Sequence, residues 1–435
     1  MRYFILLLLA FIVNYHGFGQ LDQKPQQLFL DAEYYRLYEE YSEALPLYRQ
    51  LLNQGYDNAH LNYRIGECYL ELGGPKEKSI PYLEKAVENI SKSFKEGSFK
   101  ENHAPVYAMF YLGKAYQTDN QLDKALETYN KFLNLISDKD EYNMNFVNKQ
   151  INSCQTAKKL MEEPIPVRQE NIGQTINNSF SNLKPVVNND ETRIIFTSKL
   201  KFYDAVFMSN REDEKWNPPI NLTPQIKSDG NLYSSSLDKK GNHLLLLKSN
   251  PYNGDLYLSE YDSEKNEWNA PQKLGKNINS KSWETHGCLC QDNKTIYFTS
   301  NRKGGMGGLD IYVSEYDKIK KEWGVAKNLG EKVNTPYNEE TPFITSDGKR
   351  LYFSSQGHQG MGGFDIFYVE RLDDGKWSEP VNVGYPVNTT DDDLFFCPVQ
   401  NGKAGYIAKH GKNSYGNQDI YRIEFIQEKK ASLIE

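Results

Sequence analysis

Ile296-Tyr297-Phe298-Thr299-Ser300, then Asp310-Ile311-Tyr312, then Trp323: this stretch returns as Leu351-Tyr352-Phe353-Ser354-Ser355, Asp365-Ile366-Phe367 and Trp377. An apolar strand ends in Thr or Ser, a loop follows, an Asp opens a second strand, and a Trp marks a third. The same phrase begins at Ile194-Ile195-Phe196-Thr197-Ser198, at Leu244 to Leu247, and at Gly405-Tyr406-Ile407-Ala408. Self-similarity with a period of roughly 50 residues and about four strands per unit specifies a radial β-propeller. The Asp-led strands open at Asp204, Asp255, Asp310, Asp365 and Asp419. Hence the expectation is five blades, with six less favoured for want of spare sequence.

Trp216, Trp268, Trp323 and Trp377 mark the outer strand of the first four units, and the fifth has none. The segment after a Trp reads Asn328-Leu329-Gly330 and Val333-Asn334-Thr335, or Asn382-Val383-Gly384 and Val387-Asn388-Thr389. Asn171-Ile172-Gly173 and Ile176-Asn177-Asn178 stand at the opposite end of the domain. They match the missing outer strand, so the chain is expected to close its ring by pairing this segment with the last unit, leaving no free sheet edge.

Outward from the propeller, residues 26–162 carry helical periodicity. Ala32 and Tyr35 are followed by Ala44 and Tyr48; Gly66 and Tyr69, then Gly113 and Tyr116, restart the pattern, and Ala125 and Tyr129 repeat its second half. Small residues let helices approach, and the aromatics fill the adjoining gap. The spacing resembles the tetratricopeptide repeat. The second copy departs from it, with Ser79 in place of Ala, Gly73-Gly74-Pro75 inserted, and a second helix expected to run towards Ser98. A helix over Glu141 to Glu162 would cap the stack. By position, the resemblance implies a groove lined by Phe29, Glu33, Arg36, Tyr63, Glu67, Leu70, Tyr107, Phe110, Lys114 and Gln117. The expected order is therefore a leader over 1–19, helical repeats over 26–162, a Pro-rich linker over 163–166, the propeller over 167–427 and a tail over 428–435. The fold class is α plus all-β, multidomain.

The leader rests on Arg2, an apolar run of 11 residues from Tyr3 to Val13, and small Gly17 and Gly19 before Gln20. No Cys follows it, so no lipid anchor is expected. A net charge of −7 offers no basic footprint for nucleic acid. Cys68, Cys154, Cys288, Cys290 and Cys397 fit no zinc spacing and read as buried free thiols, Cys397 holding the repeat position of Cys288. The loops Gly304-Gly305-Met306-Gly307-Gly308 and Gly360-Met361-Gly362-Gly363 lack the order of a phosphate-binding loop. An Asp repeated in every unit serves structure, because a catalytic carboxylate is needed once. Asp391-Asp392-Asp393 could hold Ca²⁺, but a solvated loop is expected. His243, His286, His358 and His410 lie in different units without metal-ligand spacing. No catalytic residue, metal ligand or cofactor is assigned, and no enzyme is expected.

With Tyr297-Phe298-Thr299-Ser300-Asn301-Arg302, Asp310-Ile311-Tyr312-Val313 and Trp377-Ser378-Glu379-Pro380-Val381-Asn382 in view, the propeller resembles the WD40-like repeats of TolB-type periplasmic proteins. The combination resembles Bacteroidota outer-membrane-associated proteins that join tetratricopeptide repeats, such a propeller and an OmpA-like domain, including a component of type IX secretion. That resemblance implies a non-enzymatic periplasmic scaffold, set against the outer membrane and binding protein partners of a secretion or gliding machine. The chain stops at Glu435 without an OmpA-like domain, so peptidoglycan binding is not expected. The alternative is a glycan- or peptide-binding, or hydrolytic, propeller with a polar cluster occurring once in its channel.

Overall fold

A computed structural model of the chain describes residues 24–136, 140–250 and 253–426. The expected leader (1–19) and tail (428–435) lie outside the described residues, as does residue 427. The chain divides into two compact units, Met1–Leu72 with Lys78–Leu112 and Gly73–Glu77 with Gly113–Glu435.

The first unit is helical: α1 (Pro25–Leu37), α2 (Tyr41–Asn53), α3 (Ala59–Glu71), α4 (Ile80–Val87) and the first turn of α5 (Ala108–Thr118). Leu28, Phe29, Ala32, Ala44, Tyr48, Leu51, Ile65 and Cys68 form its core. The small residue at Gly66 has a steric reason, since a Cβ there would lie 2.5 Å from Leu83 Cγ. The second copy ends early. Its second helix stops at Val87, and Ile90–Ser91 pairs in parallel with Ala104–Pro105 instead of continuing towards Ser98. Local bonding favours the exit from the helix: Ser93 N donates to Ser91 Oγ at 3.1 Å, and Ala104 N donates to Asn89 O at 2.9 Å.

The second unit holds the rest of α5, α6 (Leu122–Leu133), α7 (Glu141–Glu162) and five antiparallel sheets. Within it, the helical segment is bonded to propeller loops. Gln117 Nε2 donates to Met361 O at 3.3 Å, Thr390 Oγ1 to Asn120 Oδ1 at 3.1 Å, and the Lys149 ammonium sits 4.3 Å from the Tyr337 ring centre.

Each sheet is a blade. Blade three orders Glu284–Leu289, Thr295–Ser300, Asp310–Asp317 and Glu322–Trp323, with Lys327–Asn328 pairing further along the third strand. The first strands of successive blades touch in turn, and the fifth returns to the first, so they ring the centre of the propeller. The fifth blade consists of Cys397–Val399, Ala404–Lys409, Asp419–Phe425 and, as its outer strand, Val167–Asn171. The register runs from Tyr421 opposite Asn171 to Phe425 opposite Val167, which is the closure expected from the sequence.

A buried Asn follows each outer strand but one. Asn177 Nδ2 donates to Ile420 O at 2.9 Å, and its Oδ1 accepts from Ile420 N at 2.8 Å. Asn279 holds Leu256, Asn334 holds Ile311 and Asn388 holds Ile366 in the same two-way manner. In the first blade the Thr223 hydroxyl accepts from Val206 N at 3.0 Å. Each amide satisfies a backbone N–H and C=O that would otherwise be buried without partners.

A second latch crosses the closure. Glu191 of blade one accepts from Arg422 Nε at 2.7 Å, Tyr406 Oη at 2.6 Å and Gln400 Nε2 at 2.6 Å, all from blade five. Burial pushes the Glu191 carboxyl up, but these donors outweigh it and hold the group below the usual glutamate range. A depressed folded value means the latch stabilises fully above the unfolded value of about 4.3 and is lost as pH falls through the folded one. Glu191→Gln should therefore destabilise by about 2 kcal/mol at neutral pH. The gap between the urea midpoints of the two proteins should narrow as pH falls below roughly 4. An equal gap at both pH values would remove Glu191 from the closure.

Candidate functional site

The repeated residues are used within the fold. Asp310 accepts from Met306 N at 2.6 Å, Asp365 from Met361 N at 3.0 Å and Gly362 N at 2.9 Å, and Asp419 from Tyr415 N at 2.8 Å and Asn171 Nδ2 at 2.8 Å. Each thus ties the loop before it to the start of its own strand. In the first two blades the partners differ: Asp255 pairs with Lys273 at 2.7 Å, and Asp204 takes the Tyr233 hydroxyl. The tryptophans wedge between blades. Trp268 Nε1 lies 3.3 Å from Met208 Sδ in the preceding blade, Trp377 meets Tyr297 with ring centres 6.2 Å apart, and the Trp323 carbonyl accepts from Asn277 of the blade before. Trp216 lies under the Arg211 guanidinium of its own blade.

In the glycine-rich loops the amides of Met306, Met361 and Gly362 already serve these aspartates. A Cβ at Gly307 would strike the Tyr337 carbonyl, and one at Gly362 the Asp391 carbonyl, so both loops pack on the next blade. The Asp391-Asp392-Asp393 stretch is not a uniformly solvated loop. Asp393 is buried and takes the Thr389 hydroxyl at 3.0 Å, because it occupies the position of Glu284 and Glu339. Those two accept from Ser280 and Thr335 in the same way. Asp391 pairs with Lys76 at 2.6 Å, and Asp392 caps Phe364 N at 2.9 Å. All five cysteines are free thiols, Cys290 half-buried and the others buried.

In the first unit, the positions assigned to a groove lie mostly inside. Phe29, Glu33, Tyr63, Glu67 and Leu70 are buried, Arg36 and Phe110 are half-buried, and Tyr107 is exposed. Glu33, Arg36 and Glu67 converge on Arg64, a residue the repeat pattern did not single out. The Arg64 side chain is 1% exposed, its Nε lies 2.8 Å from Glu33 and its Nη1 3.1 Å from Glu67, and Glu96 reaches it as well. Tyr48 donates to Glu33. Burial raises both carboxyls; the Arg64 charge and the Tyr48 hydroxyl turn Glu33 below the usual range, while Glu67 stays above it. In the second unit Gln117 is buried and Lys114 half-buried.

One polar constellation is not repeated. The first strands of blades one, three and four break register near their start, between Leu183 and Val186, Glu284 and Gly287, and Glu340 and Phe343. At equivalent bulge positions the blades present Lys184, Ser234, His286, Thr341 and Phe395. Lys184, Thr341 and Phe395 adopt φ of 50°, 51° and 67°, a costly conformation for residues with side chains. His286 is 8% exposed, and neither ring nitrogen has a hydrogen-bond partner. Its Nδ1 lies 3.2 Å from Glu340 Oε2 but out of hydrogen-bond alignment, and its ring meets the Phe395 edge. Burial and the Lys184 charge push the imidazole below its usual value, against Glu340. Burial lowers Lys184 to about 8, against Glu340 and Asp204, and its ammonium sits 4.8 Å from the Tyr233 ring centre. The other three propeller histidines are satisfied: His243 by Asp238 at 2.8 Å, His358 by Val333 O at 3.0 Å and His410 by Asn417 O at 2.8 Å. The sequence marks His286 as one of the propeller histidines, but no motif marks Lys184 or Glu340. The signal for Lys184 and His286 is that the side chain varies at the same offset after Asn182 and Glu284; Glu340 directly follows Glu339 and carries no such mark.

Comparison with known proteins agrees with the helical part. Residues 107–135, spanning α5 and α6, match the tetratricopeptide repeat. Comparison with curated protein sequences returns no match. Among solved structures, TolB from Acinetobacter baumannii is similar at 16% identity and a TM-score of 0.39, over 57% of this chain and 55% of that one. The putative TolB from Agrobacterium tumefaciens is similar at 12% identity and a TM-score of 0.35, over 58% and 78%. An α-L-arabinofuranosidase from Lactobacillus brevis is similar at 11% identity and a TM-score of 0.40, over 58% and 92%. Such values assign this chain neither a partner nor a reaction.

The charge cluster carries a direct test. Arg64→Ala would leave Glu33 and Glu67 in the interior with half-buried Arg36 as their remaining cation, and should cost about 3–5 kcal/mol, read from the helical circular dichroism signal in denaturant. A change below about 1 kcal/mol, the range of an exposed ion pair, would contradict its buried placement.

Proposed function

We propose that this chain is a non-enzymatic scaffold that holds protein partners through its helical repeats, with the propeller as a rigid support. The observation that carries the reading is a stripe on α1. Leu30, Tyr34, Leu37 and Tyr38 recur on one helical face and are between 43% and 70% exposed. The Tyr34 and Tyr38 rings meet at a tilt, their centres 4.8 Å apart. Contiguous exposed aromatic surface is the composition that protein contacts favour. The tetratricopeptide match and the structural use of every repeated propeller residue support the same view.

The finer reading places the scaffold in the periplasm against the outer membrane, within a secretion or gliding machine. It rests on the leader pattern in residues 1–19, which lie outside the described residues, and on the family resemblance of the blade motifs. Among the described residues no helix is long and apolar enough to cross a membrane.

Affinity capture from envelope extracts should recover a defined set of partners with the parent chain. The same capture with Tyr34→Glu and Tyr38→Glu combined should lose at least one of them, while the melting temperature stays unchanged. An identical partner set for both proteins would remove the α1 stripe from the interface.

A further inference from the structure

We propose that the centre of the propeller binds the hydroxyl groups of a neutral saccharide, through Lys184, His286 and Glu340. The inference is independent of the scaffold reading and concerns a different surface.

Repetition separates structure from function in this ring. Whatever every blade needs appears in nearly every blade, as the capping Asp and the Asn latch do. The bulge position is the reverse: its side chain differs in every blade. Lys184 and His286 stand at the bulges of blades one and three, and Glu340 directly precedes the bulge residue Thr341 of blade four; the Glu340 carboxylate lies 3.2 Å from His286 Nδ1, and the Lys184 charge reaches both. The His286 and Glu340 side chains keep 10% and 19% of their surface open. A native fold rarely leaves a buried imidazole nitrogen without any partner, as His286 Nε2 is left, and such a group asks for one. Three of the five bulge residues also hold positive φ, a strain that clusters where a ligand is clamped.

Charge selects the ligand class. An anion placed among the three groups meets the Glu340 carboxylate, and a cation meets the Lys184 ammonium. A hydroxyl meets neither obstacle, because it both donates and accepts. Neutral imidazole offers one N–H and one bare nitrogen, Lys184 offers donors, and Glu340 accepts. Adjacent hydroxyls of a pyranose or furanose satisfy all of them together.

The test is calorimetric titration of the full chain with a saccharide panel, backed by a glycan array. The panel holds neutral hexoses and pentoses (glucose, galactose, mannose, arabinose and their short oligomers), with glucuronic acid and glucosamine as charged counterparts. At least one neutral sugar should bind, more tightly than either counterpart. Lys184→Met and Glu340→Gln should each weaken it about tenfold, the loss of one hydrogen bond to a charged group, with unfolding still cooperative. Should a variant misfold, histidine ring resonances of the parent provide a second readout. One ring, identified by its absence in His286→Gln, should shift on sugar addition while the other histidines stay still. No binding across panel and array, preference for a charged sugar, or affinity untouched in both variants would each overturn the proposal.

Discussion

The pairing of Val167–Asn171 with Asp419–Phe425 is the contact on which the propeller depends. Four blades complete their sheets with chain that follows directly; the fifth borrows a strand from the far end of the domain. Without that strand, Asp419–Phe425 would be an open edge, exposing backbone groups to wrong partners. The closure is fastened twice more. Asn177 grips both backbone groups of Ile420, and Glu191 gathers Arg422, Tyr406 and Gln400 at the other side of the joint. Loop closure over such a separation is entropically costly, and several cooperating hydrogen bonds must offset it.

A closed ring changes what its centre can do. Five first strands are held edge to edge, so each bulge points a side chain to a fixed place. Positive φ at Lys184, Thr341 and Phe395 persists only because the surrounding sheets over-determine it. The same rigidity serves the scaffold reading, since the end of α5, the turn after it and α7 contact propeller loops within one compact unit. In the first unit, charge is used differently: Arg64, Glu33 and Glu67 face one another inside, and aromatic surface is left outside on α1.

The ring and its closing strand were legible in the sequence because their signals recur: Asp310 resembles Asp365, and Asn171-Ile172-Gly173 resembles Asn328-Leu329-Gly330. What recurs only in part was harder to read. Asp393 looks like one of three loop carboxylates until its alignment with Glu284 and Glu339 is seen. The second helix of the second repeat could not be bounded, because Ser91 and Ser93 bond locally where periodicity alone would extend the helix. Helical spacing assigns Glu33, Arg36 and Glu67 to a groove, but spacing does not say that a buried cation such as Arg64 draws Glu33 and Glu67 inside. Lys184, His286 and Glu340 are far apart in the chain, and their approach depends on blade order and register together.

Hydrogen exchange on the intact chain tests the closure most directly. Amides of Val167–Asn171 that donate to Asp419–Phe425 should exchange as slowly as those of Ala404–Lys409, opening only when the whole propeller unfolds. Exchange of the 167–171 amides at the rate of an exposed loop, with Ala404–Lys409 still protected, would mean that the ring closes without that strand and would contradict the account.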